Sequence, residues 1–201
     1  MDRISAIVFD LGNVVLNYDH GRSVKRLAQL AGCGEEEVES FIFGGLKDGF
    51  NRGKLSAKEF YTRVRDRFDL PICLDAFTSI WGDIFWENPE VTGLLPALRK
   101  RYPLYLLTNT DVLHFQYIID NFSVIPQFRK IFASHQMGVA KPDPEIYLRA
   151  LREIGRPASA VLYVDDDPGF VAVARDCGIN TIHYAGGKRI RDELTVFNIT
   201  I

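Results

Sequence analysis

Cysteine is scarce and poorly placed for structural use. Cys33, Cys73 and Cys177 are odd in number, far apart and not in metal-ligand spacing. That excludes a disulfide framework and fits reduced thiols in a cytoplasmic protein. An excess of one charge is lacking too. Twenty-four Lys and Arg stand against 26 Asp and Glu, a formal net charge of −2. No global field therefore favours nucleic acid or an anionic membrane. No apolar run reaches about 18 residues, and no cationic leader precedes an apolar segment, so neither a membrane span nor secretion is expected. Internal repeats and low-complexity tracts are absent from the sequence. What is present is ordinary for a globular chain: 47% apolar and 25% charged residues over 201 positions, enough for one domain with a modest insertion.

Five short apolar runs read as strands: "SAIVFDL" at the start, "PLYLLTN" from Pro103, "KIFASH" around Ile131, "VLYVDD" from Val161 and "INTIHY" from Ile179. They lack strict alternation, as strands covered on both faces do. Helical patterns lie between the later ones. Asp143 and Pro144 form a cap and first-turn pair, and Tyr147, Ala150, Leu151 and Ile154 repeat at helix spacing before Gly155. Alternation of this kind predicts an α/β fold with a doubly wound parallel sheet.

Residues from about 17 to 88 break the pattern. "GRSVKRLAQLAG" puts Val24, Leu27, Ala28 and Ala31 on one helical face, and Ser56 with Glu59 forms a capping box before the stripe Phe60, Val64, Phe68. "DAFTSIWGDIF" adds Phe77, Ile80, Trp81 and Ile84, and Asn88–Pro89 opens the helix that returns to the sheet. The expected organisation is a core of residues 1–16 and 89–201 with a helical insertion over 17–88. "FGG" at Gly44 and Gly45 reads as a helix stop.

Ligands in a doubly wound sheet bind outside the carboxyl ends of the strands. There the sequence presents Asp10, then Thr108 and Asn109, then Lys141 in the loop "GVAKPDPE", then Asp165, Asp166 and Asp167. A nucleophilic carboxylate, a hydroxyl with an amide, a lysine and an acid pair suit phosphoryl transfer through an aspartyl-phosphate. The phosphate dianion must be neutralised for a carboxylate to approach it. Asp10, Asp166 and the backbone carbonyl of Gly12 offer three oxygens for Mg²⁺, with Asp165 standing behind them. Asp167 reads as the cap of the next helix.

These four stretches in this order resemble the haloacid dehalogenase superfamily. "FDLGNVV", "LLTN", "KPDPEIY" and "YVDDD" look like its motifs one to four, over nearly the whole chain. The resemblance implies Asp10 as nucleophile, Thr108 and Asn109 on phosphate, Lys141 bridging phosphate and nucleophile, and Asp166 on Mg²⁺. It implies a C1 helical cap over residues 17–88 and a small phosphorylated metabolite as substrate. The D-x-G-N-V form of motif one is similar to a bacterial subgroup acting on α-D-glucose 1-phosphate, which suggests a sugar 1-phosphate. Two positions depart from the family. Gly12 stands where most of its phosphatases carry a second aspartate that protonates the leaving oxygen. Gly169 and Phe170 stand where motif four often has Asn or Asp. A haloacid dehalogenase and a weakly catalytic phosphate-binding protein are the alternatives. A phosphomutase is disfavoured, because it needs acid–base help at both hydroxyls.

Among the remaining candidates, surface or packing roles are expected for His20 and His114. Cap packing is expected for Trp81, Phe85 and Trp86. "RVRDR" and "GGKRIRDE" read as solvated faces.

Overall fold

The protein is described by a computed structural model over residues 3–185 and 190–200, so part of "GGKRIRDE" lies outside the described residues. The chain begins with β1 (Ala6–Phe9) and β2 (Leu16–Tyr18), then α1 (Gly21–Ala31) and α2 (Glu35–Phe41). A π-helical turn over Ile42–Leu46 leads to α3 (Lys47–Asn51), α4 (Ala57–Phe68), α5 (Leu74–Gly82) and β3 (Phe85–Glu87). Short α6 (Pro89–Thr92) and α7 (Leu95–Leu98) return to β4 (Leu104–Thr108) and α8 (Val112–Asn121). Then come β5 (Lys130–Ala133), α9 (Ser134–Met137), α10 (Pro144–Ile154) and β6 (Val161–Asp165). The last elements are α11 (Pro168–Asp176), β7 (Asn180–His183) and α12 (Ile190–Val196).

The five strands read from the sequence form one parallel sheet in the order β5-β4-β1-β6-β7. Ile7, Phe9, Leu104, Leu106, Leu162 and Val164 point to one face, against α6, α7, α8 and α12. Ala6, Val8, Tyr105, Leu107, Val161 and Tyr163 point to the other, against α10 and α11. Both faces are covered, which is why apolar residues fill the strands without alternation. Strand order reverses between β1 and β6, and that switch point is where an open α/β sheet leaves a crevice at its carboxyl edge.

The inserted helices bury a cluster of their own. Val24, Leu27, Val38, Phe50, Phe60, Phe77 and Trp81 pack there with Leu113 of α8. Phe50 stacks on Phe60 with ring centroids 4.2 Å apart. The chain enters and leaves this layer through an antiparallel ribbon, β2 with β3, pairing Leu16 with Glu87 and Tyr18 with Phe85. The Ser56–Glu59 capping box forms in both directions. Asn88 caps α6 through Glu90 N–H and ties it to the Val14 carbonyl at 2.9 Å.

Three local expectations change. The chain does not stop at Gly44–Gly45 but bends: Gly45 takes φ 137°, a conformation open to glycine, and helix resumes at Lys47. The helix through Trp81 ends at Gly82, so buried Ile84 lies outside it, because the chain turns at Asp83 to place β3 beside β2. The returning helix is two short pieces, and Pro96, without an N–H, sits in the first turn of the second. No described helix is long and apolar enough to cross a membrane.

Candidate active site

Parallel pairing of β1 with β6 puts Phe9 beside Val164, so Asp10 and Asp165 leave the sheet as neighbours. The Asp10 amide is fixed by the Val164 carbonyl at 2.8 Å. Thr108 ends β4 on the other side of β1 and is buried. Lys141 arrives from the loop after α9. Its Nζ lies 2.8 Å from Asp10 Oδ1 and 2.7 Å from Asp165 Oδ2, a lysine bridging two buried carboxylates. Asn109 makes this possible. Its side chain accepts from Lys141 N–H at 2.8 Å and donates to the Lys141 carbonyl at 2.9 Å. The Asn109 side chain thus holds the lysine's backbone, and Asn109 also lines the cavity.

The two acids of the pair are not equivalent. Asp165 is spent on protein partners: Lys141, the Tyr163 hydroxyl and the Asp167 amide. Asp166 is half-buried, accepts only from Asn13 Nδ2 at 3.0 Å among the side chains of the described residues, and faces the cavity. Asp167 caps α11 through Gly169 and Phe170 N–H groups. Phe170 lines the cavity with its ring 4.8 Å from Lys141 Nζ, so an aromatic face meets the ammonium in the stretch of motif four where an amide or acid is usual.

One oxygen each of Asp10, Asp165 and Asp166 lies within 4.8 Å of the others. Hard carboxylate oxygens at this spacing fit a small divalent cation such as Mg²⁺. Burial pushes the Asp10 carboxyl up to about 7; Lys141 opposes that shift and Asp165 adds to it. Burial moves Asp166 in the same direction, against its bond from Asn13. Lys141 is held above its usual range, because Asp10 and Asp165 outweigh the cost of burying it. A carboxyl raised in the folded state stabilises the fold below its unfolded pKa and loses that contribution as pH rises through the folded value. The metal-free protein is therefore expected to lose melting temperature between about pH 4 and pH 7 at this site, while Mg²⁺ binding, which displaces the proton, tightens over the same range. Thermal melts with and without Mg²⁺ across that range check this, and a pH-independent Mg²⁺ shift contradicts it.

Gly12 is covered by β2. A Cβ built there would lie 2.8 Å from Tyr18 Cε1, so a ring occupies the space a second acid would need. Tyr18 lines the cavity, and burial together with Asp166 and Asp10 keeps its phenol protonated.

Tyr18, His20, Lys47, Asn51 and Phe85 of the inserted segment line one side of the cavity, which holds about 310 Å³. His20 and His114, expected at the surface or in packing, both line it, as does Phe85. Trp81 is fully buried and Trp86 is exposed. His114 is both packed and polar: Nδ1 lies 2.8 Å from Asp111 Oδ2, Nε2 lies 3.0 Å from the Trp81 carbonyl, and its ring stacks on Trp81. Burial, Lys47 and His114 drive the His20 imidazole down to about 2, so it stays neutral. Lys47 and Asn51 also reach the cavity. The sequence reading passed over both. The one available signal was the double glycine just ahead of Lys47.

A parallel sheet whose switch point presents carboxylates, a bridging lysine and a hydroxyl has a crevice suited to an anion and a cation. The chain belongs to the haloacid dehalogenase-like hydrolase family, whose model matches residues 4–178. It is similar to D-ribitol-5-phosphate phosphatase of Bacteroides thetaiotaomicron, 27% identical over 96% of this chain and 98% of that one. Its fold matches the crystal structure of a HAD family enzyme from the same organism in complex with magnesium and inorganic phosphate. That match has a TM-score of 0.80 and 26% identity, over 89% of this chain and 93% of that one. A predicted HAD-like family hydrolase from Porphyromonas gingivalis matches with a TM-score of 0.82 at 25% identity, over the full length of both chains.

Proposed function

We propose that this chain is a Mg²⁺-dependent phosphatase acting on a small phosphorylated metabolite through an aspartyl-phosphate on Asp10. The observation that carries the reading is the Asp10–Lys141–Asp165 bridge beside Asp166 at the switch point. In this reading the Asp10 carboxylate attacks phosphorus, the bond from phosphorus to the ester oxygen breaks, and the alcohol leaves with a proton from water. Water then attacks the phosphorus of the aspartyl-phosphate, which releases inorganic phosphate and a proton and restores the carboxylate. Lys141 and the Thr108 hydroxyl steady the phosphoryl oxygens. Asp165 holds Lys141 in place, and Asn109 fixes the lysine's backbone. Mg²⁺ held by Asp10, Asp166 and the Gly12 carbonyl would neutralise charge on the phosphoryl group. Residues 17–88 act as a cap that excludes bulk water, over a core of 1–16 and 89–201.

Several observations support this reading. The names of the relatives describe phosphatases and a magnesium-phosphate complex. A dehalogenase attacks carbon and needs no metal, and Asp166, half-buried and facing the cavity, then has no cation to hold. Three unbridged cysteines agree with a cytoplasmic setting.

The ester itself is narrowed by Gly12. No carboxylate stands there, and His20, held neutral, is no proton source at physiological pH. Absent general acid help typically costs about 10²–10⁴ in rate, most for poor leaving groups. Esters whose oxygen leaves easily, a sugar 1-phosphate or an aryl phosphate, are therefore favoured over alkyl phosphates. The relative's name, a D-ribitol-5-phosphate phosphatase, supports a different ester, a primary alkyl phosphate.

A panel of phosphorylated metabolites assayed with Mg²⁺ and with EDTA tests both points. Metal-dependent release of phosphate, with kcat/KM larger for 1-phosphates than for 5- or 6-phosphates of matched size, is expected. EDTA-resistant activity contradicts the metal. Equal rates across leaving groups contradict the account of Gly12. Phosphate binding without turnover establishes the binding-protein alternative.

A further inference from the structure

The cap half of the cavity carries polar groups that the phosphoryl chemistry does not use. The π-helical turn over Ile42–Leu46, made possible by Gly45, ends at Lys47 and sets Lys47 and Asn51, four residues apart on α3, on one face of that helix. Both line the cavity. Lys47 is costly to keep there. Its ammonium is a buried cation at the start of a helix, where the peptide dipoles oppose it. Its nearest carboxylate, Asp111 Oδ2, is 3.6 Å away, beyond hydrogen-bond length. Asp111 has other partners as well, the Leu113 and His114 amides, Trp81 Nε1 and His114 Nδ1, so Lys47 is one of several groups that serve that carboxylate. Asn51 Oδ1 and His20 Nδ1 are buried with no hydrogen-bond partner among the described residues. Buried polar atoms in native proteins are normally partnered, so these two unpartnered atoms, beside an ammonium whose one ion pair is long, point to a ligand at this cavity wall.

We infer that Lys47, Asn51 and His20 form a hydroxyl-reading subsite, and that the alcohol part of the substrate is a polyhydroxylated chain. The inference rests on the phosphatase reading above and names its substrate class. The chemistry of the wall selects the ligand. The Lys47 ammonium only donates, the Asn51 Oδ1 only accepts, and a neutral imidazole offers one of each. A hydroxyl both donates and accepts, so vicinal hydroxyls meet all three. A second anionic group would only accept and would leave Asn51 Oδ1 unmatched. An alkyl chain would leave every one of them bare. The walls beside them, Phe85 and the Tyr18 ring, suit the C–H faces of a polyol.

The test compares a pentitol 5-phosphate with 1-pentyl phosphate, which share chain length and leaving group and differ in hydroxyls. Lys47→Met keeps an unbranched side chain and removes the ammonium, which lies 4.8 Å from the Trp81 ring centroid. It is expected to raise KM for the pentitol phosphate about tenfold or more, with kcat nearly unchanged and pentyl phosphate kinetics within about twofold of wild type. Asn51→Ala should move the same substrate in the same direction. Equal losses on both substrates would mean a structural role and overturn the subsite. A preference for a phosphorylated hydroxy acid of the same length, lost in Lys47→Met, would overturn the hydroxyl assignment in favour of an anion. Calorimetric titration of both esters into Asp10→Asn protein reads the same difference as affinity without turnover, so the subsite is judged separately from the role of Asp10.

Discussion

Asp10→Asn is expected to lower turnover of every phosphate ester by at least about 10³-fold while the protein stays folded. The amide fills the same volume but has no anionic oxygen to attack phosphorus. The fold should tolerate it, because Lys141 keeps its 2.7 Å contact with Asp165 and the Val164 carbonyl still fixes the residue 10 amide. Steady-state kinetics on an aryl phosphate, with near-UV circular dichroism as the folding control, check this. A folded variant that keeps about a tenth of wild-type activity removes Asp10 from the nucleophile's role.

Lys141→Met should lose roughly 100-fold or more in kcat/KM, the scale seen when one fixed electrostatic donor is removed from an active site. It should also lose stability, unlike Asp10→Asn. Asp10 and Asp165 would face each other, both buried, with the shared cation gone. Removing one partner from a buried ion pair costs about 3–5 kcal/mol, and protonation of one acid would recover part of that. Denaturant unfolding should therefore show a deficit that shrinks at lower pH and when Mg²⁺ is added. A variant of wild-type stability would mean that the carboxylates do not depend on Lys141. Activity within about threefold of wild type would mean that phosphate does not depend on it either.

The strands and their tips were legible because both signals are local. A run such as Val161–Val164 between two helices is buried on both sides wherever it sits in the sheet, and the residue that follows must emerge at the carboxyl edge. Caps were legible for the same reason: Ser56 with Glu59, Asn88 with Pro89 and Asp143 with Pro144 each act within one turn of their own helix. What escaped was everything set by contacts between distant segments. Asn109 clamps a backbone 32 residues away. Tyr18 folds back over Gly12 only because β2 pairs with β3, more than sixty residues further along the chain. That contact also changes what a substitution at position 12 can report. Gly12→Asp puts Cβ against the Tyr18 ring, so restoring an acid there requires that ring to move aside, which a smaller residue at position 18 in the same protein makes unnecessary. Lys47 and Asn51 escaped because a helix stop and a helix kink share one glycine signal, and only the kink turns them toward the cavity.

Intact-mass analysis of acid-quenched wild-type enzyme during Mg²⁺-dependent turnover of an aryl phosphate is the most direct test of the covalent route. With no acid–base carboxylate at position 12, water attack on the intermediate lacks its usual help, so the phosphoenzyme should accumulate. The account predicts a species heavier by one phosphoryl group, mapped by peptide fragmentation to Asp10 and absent when EDTA is present. Turnover with no such species, or with the phosphoryl group on any residue other than Asp10, would contradict it.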